Sequence, residues 1–262
     1  VQYWIFLKNA LSGDLGNSFV YNQPALHLIL QRMPATLELA AAALVMALAI
    51  GLPLGVYAGL RPNGVLAKSI MAFSILGFSL PTFWIGLVMI MVFAVQLGWL
   101  PSSGRGDTVD LFGVPLSLFT LDGLAHLALP AFNLALFKIS LVIRITRAGV
   151  LETMQLDFVR FARAKGLPER RIVRVHVLKN TLIPLITVIG LELGSLIAFA
   201  VVTETIFAWP GMGKLIIDSI AVLDRPVILA YLMITVVMFS LINLTVDILY
   251  SLVDPRVRLE GN

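Results

Sequence analysis

"TLELAAAALVMALAIGLPLGVYAGL", Thr36 to Leu60, carries a single charged side chain, Glu38, near its start. A helix needs about 20 mostly apolar residues to cross a hydrocarbon layer roughly 30 Å thick, and this run is long enough. Lipid offers no partner to a backbone N–H or C=O, so a spanning segment is either a helix or a strand in a closed barrel. The stretch lacks the alternating pattern of about ten residues that a barrel strand requires. It therefore reads as a transmembrane helix, ended by the breaker turn "RPNG" at Arg61.

Four more runs of the same kind follow: Ile70 to Trp99, Leu124 to Ile145, Leu182 to Ala208 and Val227 to Val253. The second is long enough to tilt or kink, and Pro81 in "SLPTFWIG" is the expected kink site. The chain is 59% hydrophobic and 13% charged, with a mean hydropathy of +0.95. A soluble core does not require apolar runs this long. The expectation is an all-α, polytopic membrane protein with five visible transmembrane helices. There is no cysteine, which removes disulfides and thiolate metal sites. The net charge of +4 matters less than where it sits, and lipid and protein, not nucleic acid, are the expected partners.

Lys/Arg bias sets the orientation. If the loop after the third span is cytoplasmic, that side holds Arg61, Lys68, Arg144, Arg147, Arg160, Arg163, Lys165, Arg170, Arg171, Arg174, Lys179, Arg256 and Arg258, most of the 19 Lys and Arg residues. Residues 1–34 are then an extracytoplasmic segment, 35–255 the membrane domain and 256–262 a cytoplasmic tail. An N-terminus placed outside, with neither a signal peptide nor an earlier span, suggests an upstream helix missing from this sequence.

The basic loop, 152–181, is more than a solvated charge run. In "DFVRFARAKGLPERRIVRVHVLKNTLIP", Asp157 to Pro184, helical spacing sets Phe158, Phe161 and Ala162 on one side and Arg160 and Arg163 on the other. Gly166 suits a helix C-terminus and Pro168 the first turn of the next. Ile172, Val175 and Leu178 then form a narrow apolar stripe. Two short amphipathic helices meeting at a glycine are expected, lying against lipid headgroups or a partner protein.

"FVRFARAKGLPERRIVRVHVLKNTLIPLITVIGLELG" resembles the signature loop of ABC importer transmembrane subunits. "GDLGNSF", "RMPATLELA", "SLPTFWIG", "LGWLPSSG", "LPAFNLAL", "RITRAGVLE", "TETIFAWPGMGKLIIDSI" and "NLTVDILYSLVDPRVR" resemble, in order, the dipeptide/oligopeptide permease branch. The resemblance implies a core of six helices, of which the last five are present here. It also implies a coupling helix in the loop that docks on a cytoplasmic ATPase. The docking segment comprises Asp157, Arg160, Ala162, Arg163, Ala164, Lys165, Gly166 and Leu167. Of these, Ala162, Ala164 and Gly166 match the signature, where small side chains permit close approach. Further implied are a second, related permease subunit, two ATPase subunits that bind ATP and Mg²⁺, an extracytoplasmic substrate-binding protein and a bacterial inner-membrane location.

No catalytic or metal site is expected. "WPGMGKL" has Leu215 where a phosphate-binding P-loop needs Ser or Thr, and His27, His126 and His176 lie in separate segments. Lys138, Glu192 and Asp247 each fall within a span, away from its first and last residues. Lys138 and Glu192 each lie about 15 Å from the cytoplasmic ends of consecutive spans, at 1.5 Å per residue, so they are placed to pair. Such a pair either lines or gates the pathway or braces two helices, and Asp247 reads as a capping or bracing carboxylate nearer the interface. An ion-coupled secondary transporter using these three groups is the alternative function. "TETIFAWPGMG", with Glu204, Trp209, Pro210 and Gly211, reads as an interfacial tryptophan anchor with a reversing turn; the resemblance implies that it is an extracytoplasmic loop, where it would meet the binding protein or shape the outer gate.

Overall fold

The computed structural model describes residue 4, residues 8–10 and residues 12–253, apart from the side chains at 182–184, 186, 187, 189, 191, 247 and 249–253. The elements in order are α1 (Ala25–Leu60), α2 (Val65–Ser79), α3 (Thr82–Met89) running into a π-helical turn (Ile90–Gln96), a hairpin of β1 (Val109–Leu111) and β2 (Val114–Leu116), α4 (Leu121–Thr153), α5 (Asp157–Ala164), a short rod of Glu169–Arg171 and π-helical Ile172–Val177 that continues into α6 (Leu178–Ile206), α7 (Met212–Ala221) and α8 (Arg225–Val253). Each expected span falls largely on helix. The exposed surface is rich in Leu, Val, Ile and Phe, including Val45, Phe73, Phe199, Val236 and Leu241, as a lipid-facing surface requires. Among the described residues, three helices are long and apolar enough to cross a membrane, α1, α4 and Arg225–Val246 of α8, or up to four if α2 and α3 count as one broken span. The remaining expected span lies on α6, several of whose side chains fall outside the described residues. The tail at 256–262 falls outside them too.

Two expectations change. The first helix begins at Ala25, not Thr36, because Ala25, Leu28 and Ile29 at i, i+3 and i+4 supply a buried stripe. Pro81 breaks the second span outright: Leu80 and Pro81 are both extended, with ψ of 139° and 130°. Proline crowds the residue before it out of the α region. Between β1 and β2, Phe112 and Gly113 take φ of 54° and 82°, the left-handed pair that closes a two-residue hairpin, with Val109 opposite Leu116.

The described residues divide into two compact units: those up to residue 42 with 81–134 and 195–242 form one, and 43–80, 135–194 and 243–253 the other. In the first, Met89, Leu129 and Phe207 form a core. Asp224 accepts the Ser18 hydroxyl and the Phe19 N–H, tying the N-terminal turn to the loop before α8. In the second, α1 packs on α4 through a glycine column. A Cβ on Gly51, Gly55 or Gly59 would stand 2.7, 2.6 and 2.6 Å from Val142, Thr146 and Val150 respectively. Spacing of four on both helices lets two backbones approach without intervening side chains, the small-residue packing that serves helices in lipid.

Candidate functional site

The basic loop is anchored from within the second unit. Val159 and Ala162 of α5 are buried with Val150, Ile172 and Val177, beside Val56, Leu60, Met154 and Leu167. This corrects the expected face. Phe158 and Phe161 are exposed, Phe161 by 61%, and the buried stripe is the Val159/Ala162 pair, three apart. Ala162 is therefore small because it packs on its own chain, whereas Ala164 and Gly166 stay exposed. Gly166 has φ of +74° with open space where a Cβ would go, so the turn itself demands glycine. Pro168 is extended and stands just before the Glu169–Arg171 turn.

The second stripe also moves. Ile172 and Val177 are buried and Val175 is exposed, because the i→i+5 pattern of a π-helix aligns residues five apart. The expected second short helix runs without a break into α6. Outside the core, the loop is charged. Arg163 Nε donates to Glu169 at 2.6 Å, which raises the guanidinium above its ordinary value, against a smaller opposing effect of burial. Arg160 lies 3.5 Å from Asp157, both highly exposed. The Lys165 ammonium sits 4.5 Å above the Phe161 ring, and Leu167 closes the inner side. This segment thus has one face rooted in this chain and another of exposed Phe158, Phe161 and Ala164.

Lys138 of α4 and Glu192 of α6 do form an ion pair, with side chains 6% and 28% exposed. The equal-depth count finds this contact. The Lys138 ammonium also lies 5.2 Å from the Phe137 ring. Asp247 lies on α8, with its side chain outside the described residues. Among the described residues, no group of three or more His, Cys, Asp or Glu converges.

The Glu204 segment is a packed keystone in the first unit. Trp209 is fully buried, its indole N–H donating to the Ala35 carbonyl at 2.9 Å. It is no interfacial anchor: a buried indole needs an acceptor, and helix α1 supplies one. Glu204 is buried as well. It accepts the Thr36 hydroxyl at 2.6 Å and the N–H groups of Gly213 and Lys214, while Thr36 Oγ1 accepts the Met212 N–H. Together they cap α7, whose first N–H groups have no partner in their own helix. Gly211 is the residue before that helix, and Pro210 offers its carbonyl to Arg32 at 3.5 Å.

Sequence reading missed Glu38 and Arg105. The Glu38 carboxylate is buried and accepts Arg105 Nε at 3.0 Å and Nη2 at 2.5 Å, with the N–H groups of Ser117 and Leu118 at 2.6 and 2.9 Å. Arg105 also donates to Pro115 O and lies 5.7 Å from the Trp209 ring. The available signal was a lone acid inside an apolar run and a lone arginine in "SSGRGD".

Residues 51–259 match the family described as "Binding-protein-dependent transport system inner membrane component". The chain belongs to this family. It is 43% identical over 269 residues to the di/tripeptide transport system permease protein of Pseudomonas aeruginosa, covering 98% of this chain and 80% of that one. To the oligopeptide transport system permease protein of Bacillus subtilis it is 42% identical over 258 residues, with the same coverage. The dipeptide permease protein of Escherichia coli is 38% identical over 272 residues, again with 98% and 80% covered. In fold it is like a solved inward-facing MetNI methionine ABC transporter chain, with a TM-score of 0.68 at 20% identity over 87% of this chain and 96% of that one. As a member, this chain is a membrane transport component that works with ATPase and substrate-binding subunits. That membership displaces the ion-coupled carrier.

Proposed function

We propose that this chain is one of two related permease subunits of a bacterial inner-membrane importer for di- and oligopeptides, with its basic loop, 152–181, docked on one of two cytoplasmic ATPase subunits. The supporting observation is α5 itself. Val159 and Ala162 hold it to the chain's own core, while Phe158 and Phe161 stand exposed beside Ala164. A helix so rooted transmits a push, because a packed interior deforms little. ATP and Mg²⁺ belong to the ATPase subunits in this reading. Peptide as cargo is supported by relatives at 38–43% identity that carry dipeptide, di/tripeptide and oligopeptide in their names. The Glu204–Trp209–Pro210–Gly211 segment lies on the outer side under the proposed orientation and shapes the entrance that faces the binding protein.

The test is co-purification of the ATPase with the permease from detergent-solubilised membranes, alongside peptide uptake by vesicles. Phe161→Asp is expected to lose the ATPase and uptake while the chain still inserts and keeps its partner permease. Gly166→Trp is a poor probe, because its φ of +74° makes any side chain strain the turn. Retention of the ATPase by Phe161→Asp and by Ala164→Trp would overturn the docking assignment. Vesicles that import no peptide with every subunit present would overturn the cargo.

A further inference from the structure

Tyr21, Arg32, Pro210, Gly211, Lys214 and Asp218 line a cleft of about 90 Å³ in the first unit. The backbone around it is fixed. Ala35 and Thr36, three and four residues after Arg32 and so on its side of α1, bind Trp209 and Met212, while Glu204 accepts the Lys214 N–H. These bonds set Arg32 and Lys214 at one cleft without using either side-chain head. The charges there do not balance. Lys214 Nζ donates to both oxygens of Asp218, at 3.0 and 2.7 Å. Arg32 is paired with no carboxylate among the described residues. Its guanidinium has five N–H donors, and it donates to the Pro210 carbonyl at 3.5 Å, a long contact for such a bond. Two cations against one acid leave one positive charge over.

We propose that this cleft receives an aspartate or glutamate side chain of the substrate-binding protein, with Arg32 as its principal partner. The proposal rests on the importer reading, which places Pro210 and Gly211 on the outer side at the entrance that faces that protein. Room sets the size of the occupant. Pockets that enclose small molecules run to about 300–1,000 Å³, so 90 Å³ excludes a whole peptide and admits a carboxylate on its methylene stem. An arginine takes a carboxylate through two parallel N–H donors, and Tyr21 adds a hydroxyl to the same cleft. Asp218 keeps Lys214 occupied, which leaves the arriving carboxylate to Arg32. Because α1 and α7 are already tied together beneath the cleft, the carboxylate meets a site that needs no rearrangement.

The experiment follows association of the peptide-loaded substrate-binding protein with the assembled transporter in dodecyl maltoside, which carries no phosphate. At low salt, Arg32→Met is expected to slow association about fivefold and Arg32→Glu about tenfold or more. Asp218→Asn removes the competing acid and is expected to speed it. Opposite signs at one cleft separate this from general damage to the fold. Lys68→Met, at an exposed cation of the second unit, should leave the rate unchanged. Association unaffected by either Arg32 variant overturns the cleft. So does an Arg32 effect confined to phosphatidylglycerol nanodiscs, which would make the anion a lipid phosphate. Lysine substituted at each exposed acid of the binding protein in turn should restore association with Arg32→Glu at one position, and restoration at none overturns the carboxylate. If the Arg32 variants do not assemble, Asp218→Asn decides: faster association supports the cleft, and an equal or slower rate overturns it. A binding protein that never associates with wild type sinks the importer reading, whereas association with none of these effects sinks the cleft alone.

Discussion

The Glu204 carboxylate occupies the space a Cβ on Gly211 would need: the added atom would stand 2.3 Å from both Cδ and Oε1. The carboxylate has nowhere to retreat, being held by the Thr36 hydroxyl at 2.6 Å and the Lys214 N–H at 2.9 Å. Gly211→Ala is therefore expected to destabilise the solubilised permease by about 1–3 kcal/mol, the usual cost of overpacking. The control is Gly98→Ala, where φ is +62° but nothing lies within 4 Å. A smaller drop in melting temperature for Gly98→Ala than for Gly211→Ala supports the cap, and equal drops count against it.

Trp209→Phe keeps the ring and deletes the N–H that meets Ala35 O. The Ala35 carbonyl sits inside helix α1 and retains that helix as a setting, so the loss is that of one ordinary hydrogen bond, about 1 kcal/mol. Trp209→Ala removes a fully buried ring and is expected to cost about 3–5 kcal/mol. Thermal unfolding followed by gel filtration of the solubilised chain separates the two. A Phe variant as damaged as the Ala variant would show that the indole N–H, not ring packing, dominates.

Glu38 and Arg105 make a double-mutant cycle informative. Either single change, Glu38→Gln or Arg105→Met, leaves one buried charge without its partner and is expected to cost about 3–5 kcal/mol. The double change is expected to cost clearly less than the two singles added together. Additivity in the measured cycle would mean that the loop is held by something other than this pair.

The Arg163–Glu169 pair is exposed, so Arg163→Gln is expected to shift stability by no more than about 1 kcal/mol. The Arg163 value is raised in the folded chain. A raised group stabilises fully below its unfolded value and loses that contribution only as pH climbs through the folded one, here a strongly alkaline range. The small effect should thus be the same at neutral and mildly alkaline pH and shrink in concentrated salt. Melting curves of both chains at two pH values and two salt concentrations test this.

What the sequence reveals and conceals follows from the range of each interaction. Apolar length marks the spans because the lipid layer imposes it locally, and counting depth finds Lys138 opposite Glu192. The face of α5 is misread because Phe158 and Phe161 are the bulkier residues, yet the neighbouring core admits only Val159 and Ala162. The stripe after Pro168 is misread because a 3.6-residue period does not survive six residues of π-helix. Glu38 and Arg105 lie 67 positions apart, and no local period connects them. Trp209 reads as an anchor because nothing near it in sequence shows that Ala35 waits with an acceptor.

The column of Gly51, Gly55 and Gly59 carries a consequence for how such a chain drifts over generations. Each position faces a neighbouring side chain at less than contact distance, with the backbone oxygens of Ile139, Ile143 and Arg147 close behind. No retreat of Val142, Thr146 or Val150 alone opens room for a methyl group. A library randomised across α1 should retain glycine every fourth residue from 51 to 59 and accept almost any apolar letter at Val45. Mutational tolerance along one helix would then trace, with no coordinates at all, the line where its neighbour lies.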